Sequence, residues 1–97
     1  MTLLRIEHPV PSFDKWKQVF DSDPAQRERS GVRRYAIARP ADDPNYITVD
    51  LEFDTAHEAE VFLSRMRKLW SGSGGQVSSD QRALVLEVVE SGEYPPR

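Results

Sequence analysis

The sequence contains no cysteine, which excludes disulfides, thiolate nucleophiles and cysteine-rich zinc sites together. Long apolar runs are missing as well. Near the amino terminus the longest is Leu3 and Leu4, cut off at once by Arg5, so neither a membrane-spanning segment nor a secretory leader is expected, and the chain is expected in the cytoplasm. No stretch is dominated by charge of one sign. Thirteen Lys and Arg are interleaved with 16 Asp and Glu, for a formal net charge of −3. Without a basic face to neutralise a run of phosphates, nucleic acid is not an expected partner. Histidine occurs twice, and His57 beside Glu58 lacks the second histidine of a zinc-protease helix, so no metal site is expected.

What is present describes a small globular protein. Hydrophobic residues make up 38 % and charged residues 30 % of 97 positions, a balance typical of a soluble domain. One domain over residues 1–97 is expected, with 91–97 as a polar tail. A chain this size hides only about 60–70 % of its unfolded surface, so its own core is thin and burial against a second copy would help.

Side chains alternate along a strand, and residues 2–8 fit that pattern, with Leu4 and Ile6 on one side and Leu3, Arg5 and Glu7 on the other. Pro9 and Pro11 stop it. Ser12 is a good N-cap, and Phe13, Trp16, Val19 and Phe20 recur at helical spacing, which forms a stripe that must face a sheet. Asp23 followed by Pro24 predicts a short second helix over 24–30 closed by Gly31. Residues 32–39 alternate as an edge strand. Turn formers between Pro40 and Asn45 mark a hairpin loop. Residues 46–53 give the clearest strand, with Ile47, Val49, Leu51 and Phe53 on an unbroken apolar face and Tyr46, Thr48, Asp50 and Glu52 on a polar one. Thr55 and Glu58 match a capping box. Behind them Ala59, Phe62, Leu63, Met66, Leu69 and Trp70 supply the apolar stripe of a long helix closed by Gly72. A flexible loop is expected over 71–80, and a last strand over 82–89.

The order strand, helix, strand, strand, helix, strand is a doubled βαβ unit. It predicts an α+β, ferredoxin-like βαββαβ fold: a four-stranded antiparallel sheet, first and third strands central, both helices on one face. The other face is then bare. Tyr46, Thr48, Asp50 and Glu52 are expected on it with Arg33, Tyr35, Ile37 and Arg39 and with Leu3, Arg5 and Glu7. So many large apolar groups do not suit open solvent, and so many charges do not suit a dry core. A partly enclosed, polar-lined cavity is expected there.

The strand–proline–helix opening with Phe13-Asp14-Lys15-Trp16, and the strand over 47–53 running into the Glu58-Ala59-Glu60 helix, resemble the dimeric α/β-barrel superfamily. That group includes antibiotic-biosynthesis-type monooxygenases. The resemblance covers nearly the whole chain and rests on pattern rather than on a catalytic motif. It implies a homodimer whose two sheets pack face to face, with a pocket between sheet and helices or at the barrel wall. It also implies cofactor-independent oxygenase or cyclase-like chemistry on an aromatic or polyketide-like compound, with no cofactor.

The residues supply candidates for that chemistry. His8 ends the first strand, where a neutral imidazole could act as a general base; the plainer reading is a strand-end histidine hydrogen-bonded to the adjacent loop. Asp50, and Glu52 beside it, could serve as acid or base in a closed barrel, or simply pair with Arg5, Arg33 or Arg39 across the sheet. Tyr35 and Tyr46 could orient a small aromatic ligand or pack against a partner sheet. Trp16 belongs to the core or lines a pocket, as does Trp70. The expected site is therefore His8 and Asp50 as catalytic residues, with Arg5, Trp16, Tyr35, Arg39, Tyr46 and Glu52 lining the ligand. Whether the chain is catalytic stays open, the alternative being a dimeric ligand-sensing or protein-interaction module.

Overall fold

The computed structural model describes residues 1–72 and 81–96. Residues 73–80 of the expected loop lie outside them. The elements are β1 (Thr2–Pro9), α1 (Phe13–Ser22), β2 (Arg34–Ala38), β3 (Tyr46–Phe53), α2 (Ala56–Gly72) and β4 (Arg82–Glu87). The sheet order is β2-β3-β1-β4, with every neighbouring pair antiparallel. The expected order of elements and the central β1 and β3 are both found.

Pairing of β1 with β3 builds the core. Leu4 lies opposite Leu51, Ile6 opposite Val49 and His8 opposite Ile47; directly opposed residues share a face, so one face is apolar and shut from water. Helix α2 closes it with Ala59, Phe62 and Leu63, and the Phe62 ring packs at 5.6 Å from that of Phe53. The Glu58 N–H donates to the Thr55 hydroxyl oxygen at 3.2 Å, which starts the helix as the capping pattern requires. Leu69, expected in the stripe, is on its margin and 41 % exposed.

Helix α1 starts with the Ser12 hydroxyl accepting from the Lys15 N–H at 3.4 Å. It ends at Asp23, whose backbone is left-handed (φ 55°) and whose N–H returns to the Phe20 carbonyl. The expected helix over 24–30 is not formed. Asp23 is a C-cap rather than an N-cap, and Gln26 also has a left-handed backbone (φ 51°), which interrupts a right-handed helix within its first turn. The segment is a series of turns, closed by Gly31 at φ 100°.

A second expectation is corrected at β2. Register sets Arg34 opposite Glu52 and Ala36 opposite Asp50, but Tyr35 opposite Leu51 and Ile37 opposite Val49. Tyr35 and Ile37 therefore face the helices, and Arg34, Ala36 and Ala38 the bare side. Alternation alone cannot say which half of a strand points inward, because a one-residue slip exchanges the halves. β4 is also shorter than expected, and after it the Val88 N–H donates to the Met1 carbonyl at 3.1 Å.

Phe62→Ala should lower unfolding free energy by about 3–5 kcal/mol, since it leaves a cavity against Phe53. Gly31→Ala should cost about 1–2 kcal/mol from its positive φ, with a Cβ that would lie 2.6 Å from Glu58 Oε2. Urea denaturation of both variants checks the pair.

Candidate functional site

The bare face is self-paired. Arg5 Nε and Nη2 donate to the two Asp50 oxygens at 2.8 and 3.0 Å. Arg34 Nη1 donates to both Glu52 oxygens at 2.9 and 3.0 Å. The Tyr46 hydroxyl donates to Glu7 at 3.1 Å, and Arg82 lies opposite Glu7 in the register with β4. Of the expected site, Arg5, Tyr46, Asp50 and Glu52 thus come together here, where each is held by a neighbour. Arg33 turns away to Asp54, at 2.7 Å.

The other expected residues lie on the opposite face. His8 belongs to the buried half of β1 and is 5 % exposed, so His8 and Asp50 are divided by the sheet and cannot act on one bound molecule within a subunit. Trp16 is on the sheet side of α1, Tyr35 meets Phe20 at a tilt with ring centres 5.2 Å apart, and the Arg39 guanidinium lies 4.7 Å above the Phe13 ring. Tyr35 and Arg39, expected on the bare face, are therefore corrected to the helix side by the register of β2.

On that side α1 stands off the sheet. None of its residues is fully buried; its rings instead form a row, Phe13 to Trp16 at 5.9 Å and Trp16 to Phe20 at 5.2 Å. Beneath this row is a cavity of about 100 Å³, with Trp16, Phe20, Phe62, Met66 and Trp70 in its wall and His8 beside Ile6 on the sheet side. For comparison, an engineered apolar cavity of about 150 Å³ holds one benzene. The space has an edge on solvent, because Val19 also lines it and is 59 % exposed.

His8 Nδ1 lies 3.0 Å from the Pro9 carbonyl oxygen. A carbonyl only accepts, so Nδ1 carries the proton and the neutral ring keeps its lone pair on Nε2. Burial pushes the His8 pKa below its ordinary value, opposed by the Pro9 hydrogen bond. His8 is thus bonded to its own loop, with its other ring nitrogen left without a partner among the described residues. Arg27 also lines the cavity and was not legible as a site residue in the sequence. Its four-residue spacing from Asp23 was the one signal, and it fell in a segment that reads as helix. Among the described residues, no group of three or more His, Asp or Glu could hold a metal ion. Nor is any described helix long and apolar enough to cross a membrane.

No family model and no curated protein matches the chain. Solved structures do match. A variant of SnoaB, a cofactor-independent oxygenase from Streptomyces nogalater, superposes with a TM-score of 0.70 at 14 % identity over 93 % of each chain. An antibiotic biosynthesis monooxygenase superposes at 0.66 and 10 % identity, over 93 % of this chain and 100 % of that one. A dimeric ferredoxin-like protein from an uncultured marine organism gives 0.64 and 11 % identity over 96 % and 98 %. The fold is ferredoxin-like. Identities this low establish the architecture alone.

The His8 shift carries a sign. The folded state binds the His8 proton less well than the unfolded chain, so stability is full above the ordinary histidine pKa of about 6.5 and declines as pH falls below it toward the lowered value. Urea midpoints at pH 7.5 and 5.5 should show this loss, and His8→Gln should flatten it.

Proposed function

We propose that the chain is a homodimeric small-molecule-binding protein that takes an aromatic compound into the cavity between α1 and the sheet, and that it acts on it as a cofactor-independent oxygenase. The observation that carries this reading is His8 in the wall of a ring-lined space, its Nδ1 engaged by the Pro9 carbonyl. A base in such a space can take a proton from an acidic C–H or O–H of the ligand. The resulting conjugated anion can then react with dioxygen itself, with the surrounding apolar groups keeping water away. The described resident of the same fold, SnoaB, is a cofactor-independent oxygenase, which supports the reading. A cyclase-like reaction would use the same proton removal without dioxygen. The cavity volume limits the ligand to a single ring that reaches the open edge, so a larger, polyketide-like compound would have to extend past Val19.

The bare face supports the dimer. Its charges sum to zero: Arg5, Arg34 and Arg82 against Glu7, Asp50 and Glu52. A second copy could cover it without stranding a charge, the step that makes burial of ions costly. Leu3, Leu84 and Leu86 share that face by register. Beyond β4, Val89 and Tyr94 are 90 % and 94 % exposed, further apolar area for an interface. The same pairing favours, as a second reading, a non-catalytic module whose face serves association alone.

Two measurements test these statements. Light scattering on the eluting protein should give twice the chain mass, and Leu84→Asp should weaken association at least tenfold; a wild type that stays monomeric at micromolar concentration overturns the dimer. Single-ring phenols and quinols should raise the melting temperature and quench Trp16 and Trp70 fluorescence. His8→Gln should keep that binding and lose oxygen consumption. Binding without oxygen consumption by the wild type would favour the module.

A further inference from the structure

Arg27 is the one charged side chain among the described residues lining the cavity. Its position is fixed on one side only. Nη1 donates to the Phe20 carbonyl at 2.7 Å and lies 3.4 Å from Asp23 Oδ1, while the guanidinium rests 3.6 Å above the Phe20 ring centre. The same Asp23 oxygen accepts the Arg27 backbone N–H at 3.0 Å, so the C-cap of α1 also anchors the arginine. The side chain is 18 % exposed, which removes most of its own hydration.

A guanidinium offers five N–H donors, and the two contacts above use those of Nη1. The Nε–H and the Nη2 pair have no acceptor among the described residues, yet neither nitrogen is sealed from water. Nε and Nη2 form the edge that fits the two oxygens of a carboxylate side by side. Arg27 also lines a second, more open recess of mixed charge with Asp23, Glu28, Arg33, Arg34 and Tyr35, and so stands between the ring-lined cavity and the surface. A cavity of about 100 Å³ is smaller than the one that encloses a benzene, so a ring would fill it through its open edge and the polar end of a ligand would remain at the rim.

We propose that Arg27 makes this pocket selective for single-ring aromatic anions, with the ring against Trp16 and Phe20 and a carboxylate, or the oxygen of a phenolate, on the free Nε–Nη2 edge. The inference rests on the small-molecule pocket of the preceding section and names its ligand class. Anion binding follows from two features together: a positive group largely stripped of water, whose partner Asp23 is 38 % exposed and touches only the other nitrogen, and flat rings alongside. Asp23 opposes an incoming anion, so its charge should limit affinity.

Benzoate and its neutral counterpart benzamide provide the test, by calorimetric titration of the full-length protein. Wild type should bind benzoate at least tenfold more tightly than benzamide. Arg27→Met should abolish that preference while changing benzamide affinity less than threefold, and Arg27→Lys, which keeps the charge without the planar edge, should lose most of it. Asp23→Asn keeps a residue suited to the left-handed cap and should tighten benzoate binding. It also serves as a folded reporter should Arg27→Met fail to fold. Equal affinity for the two compounds in wild type, or an unchanged preference in Arg27→Met, overturns the role of Arg27. Failure of both compounds to bind wild type overturns the pocket reading itself.

Discussion

The antiparallel pairing of β1 with β3, from Thr2 opposite Phe53 to Pro9 opposite Tyr46, sorts this molecule into two chemically distinct halves. Both strands alternate apolar and polar residues, and their register brings like with like. Leu4, Ile6 and His8 join Val49, Leu51 and Ile47 on one side; Leu3, Arg5 and Glu7 join Thr48, Asp50 and Glu52 on the other. A shift of one residue would set Arg5 among the helices and Ile6 in water. Helix packing, the bare face and the location of His8 all depend on that register.

The two helices use the apolar half unequally. α2 lies close, with Ala59, Phe62 and Leu63 shut from solvent. α1 fills its contact with wide rings, none of them fully buried, and rings arranged in a row leave gaps where branched side chains would close them. An imperfectly filled layer between helix and sheet forgoes dispersion contacts, which in a domain this small is a considerable loss. The same gap provides a space where a histidine, a guanidinium and several aromatic faces converge.

The charges of the other half answer each other across neighbouring strands. Arg5 with Asp50 and Arg34 with Glu52 are direct register partners, so their side chains meet with little reorganisation. Pairs that stay this open to solvent on at least one partner add little to stability. Their effect is to leave a face with no net charge, which separates the question of association from the question of chemistry on the far side of the sheet.

The linear sequence determined the element order, the caps at Ser12 and Thr55 and the core of β3, because each depends on local periodicity or on hydrogen bonds within one turn, and the element order in turn places β1 and β3 centrally through the chirality of the crossovers. It also marked His8 and Trp16 as candidates. It did not decide which face Tyr35 and Arg39 occupy, that His8 and Asp50 are separated by the sheet, or that residues 24–31 coil into turns carrying Arg27 to the cavity. Those depend on strand register and on left-handed backbone at Asp23 and Gln26. Register is set by pairing between strands far apart in sequence, whereas the left-handed turns are held by bonds within a few residues, Asp23 to Phe20 and Gln26 to Asp23; neither leaves a periodic trace along the chain.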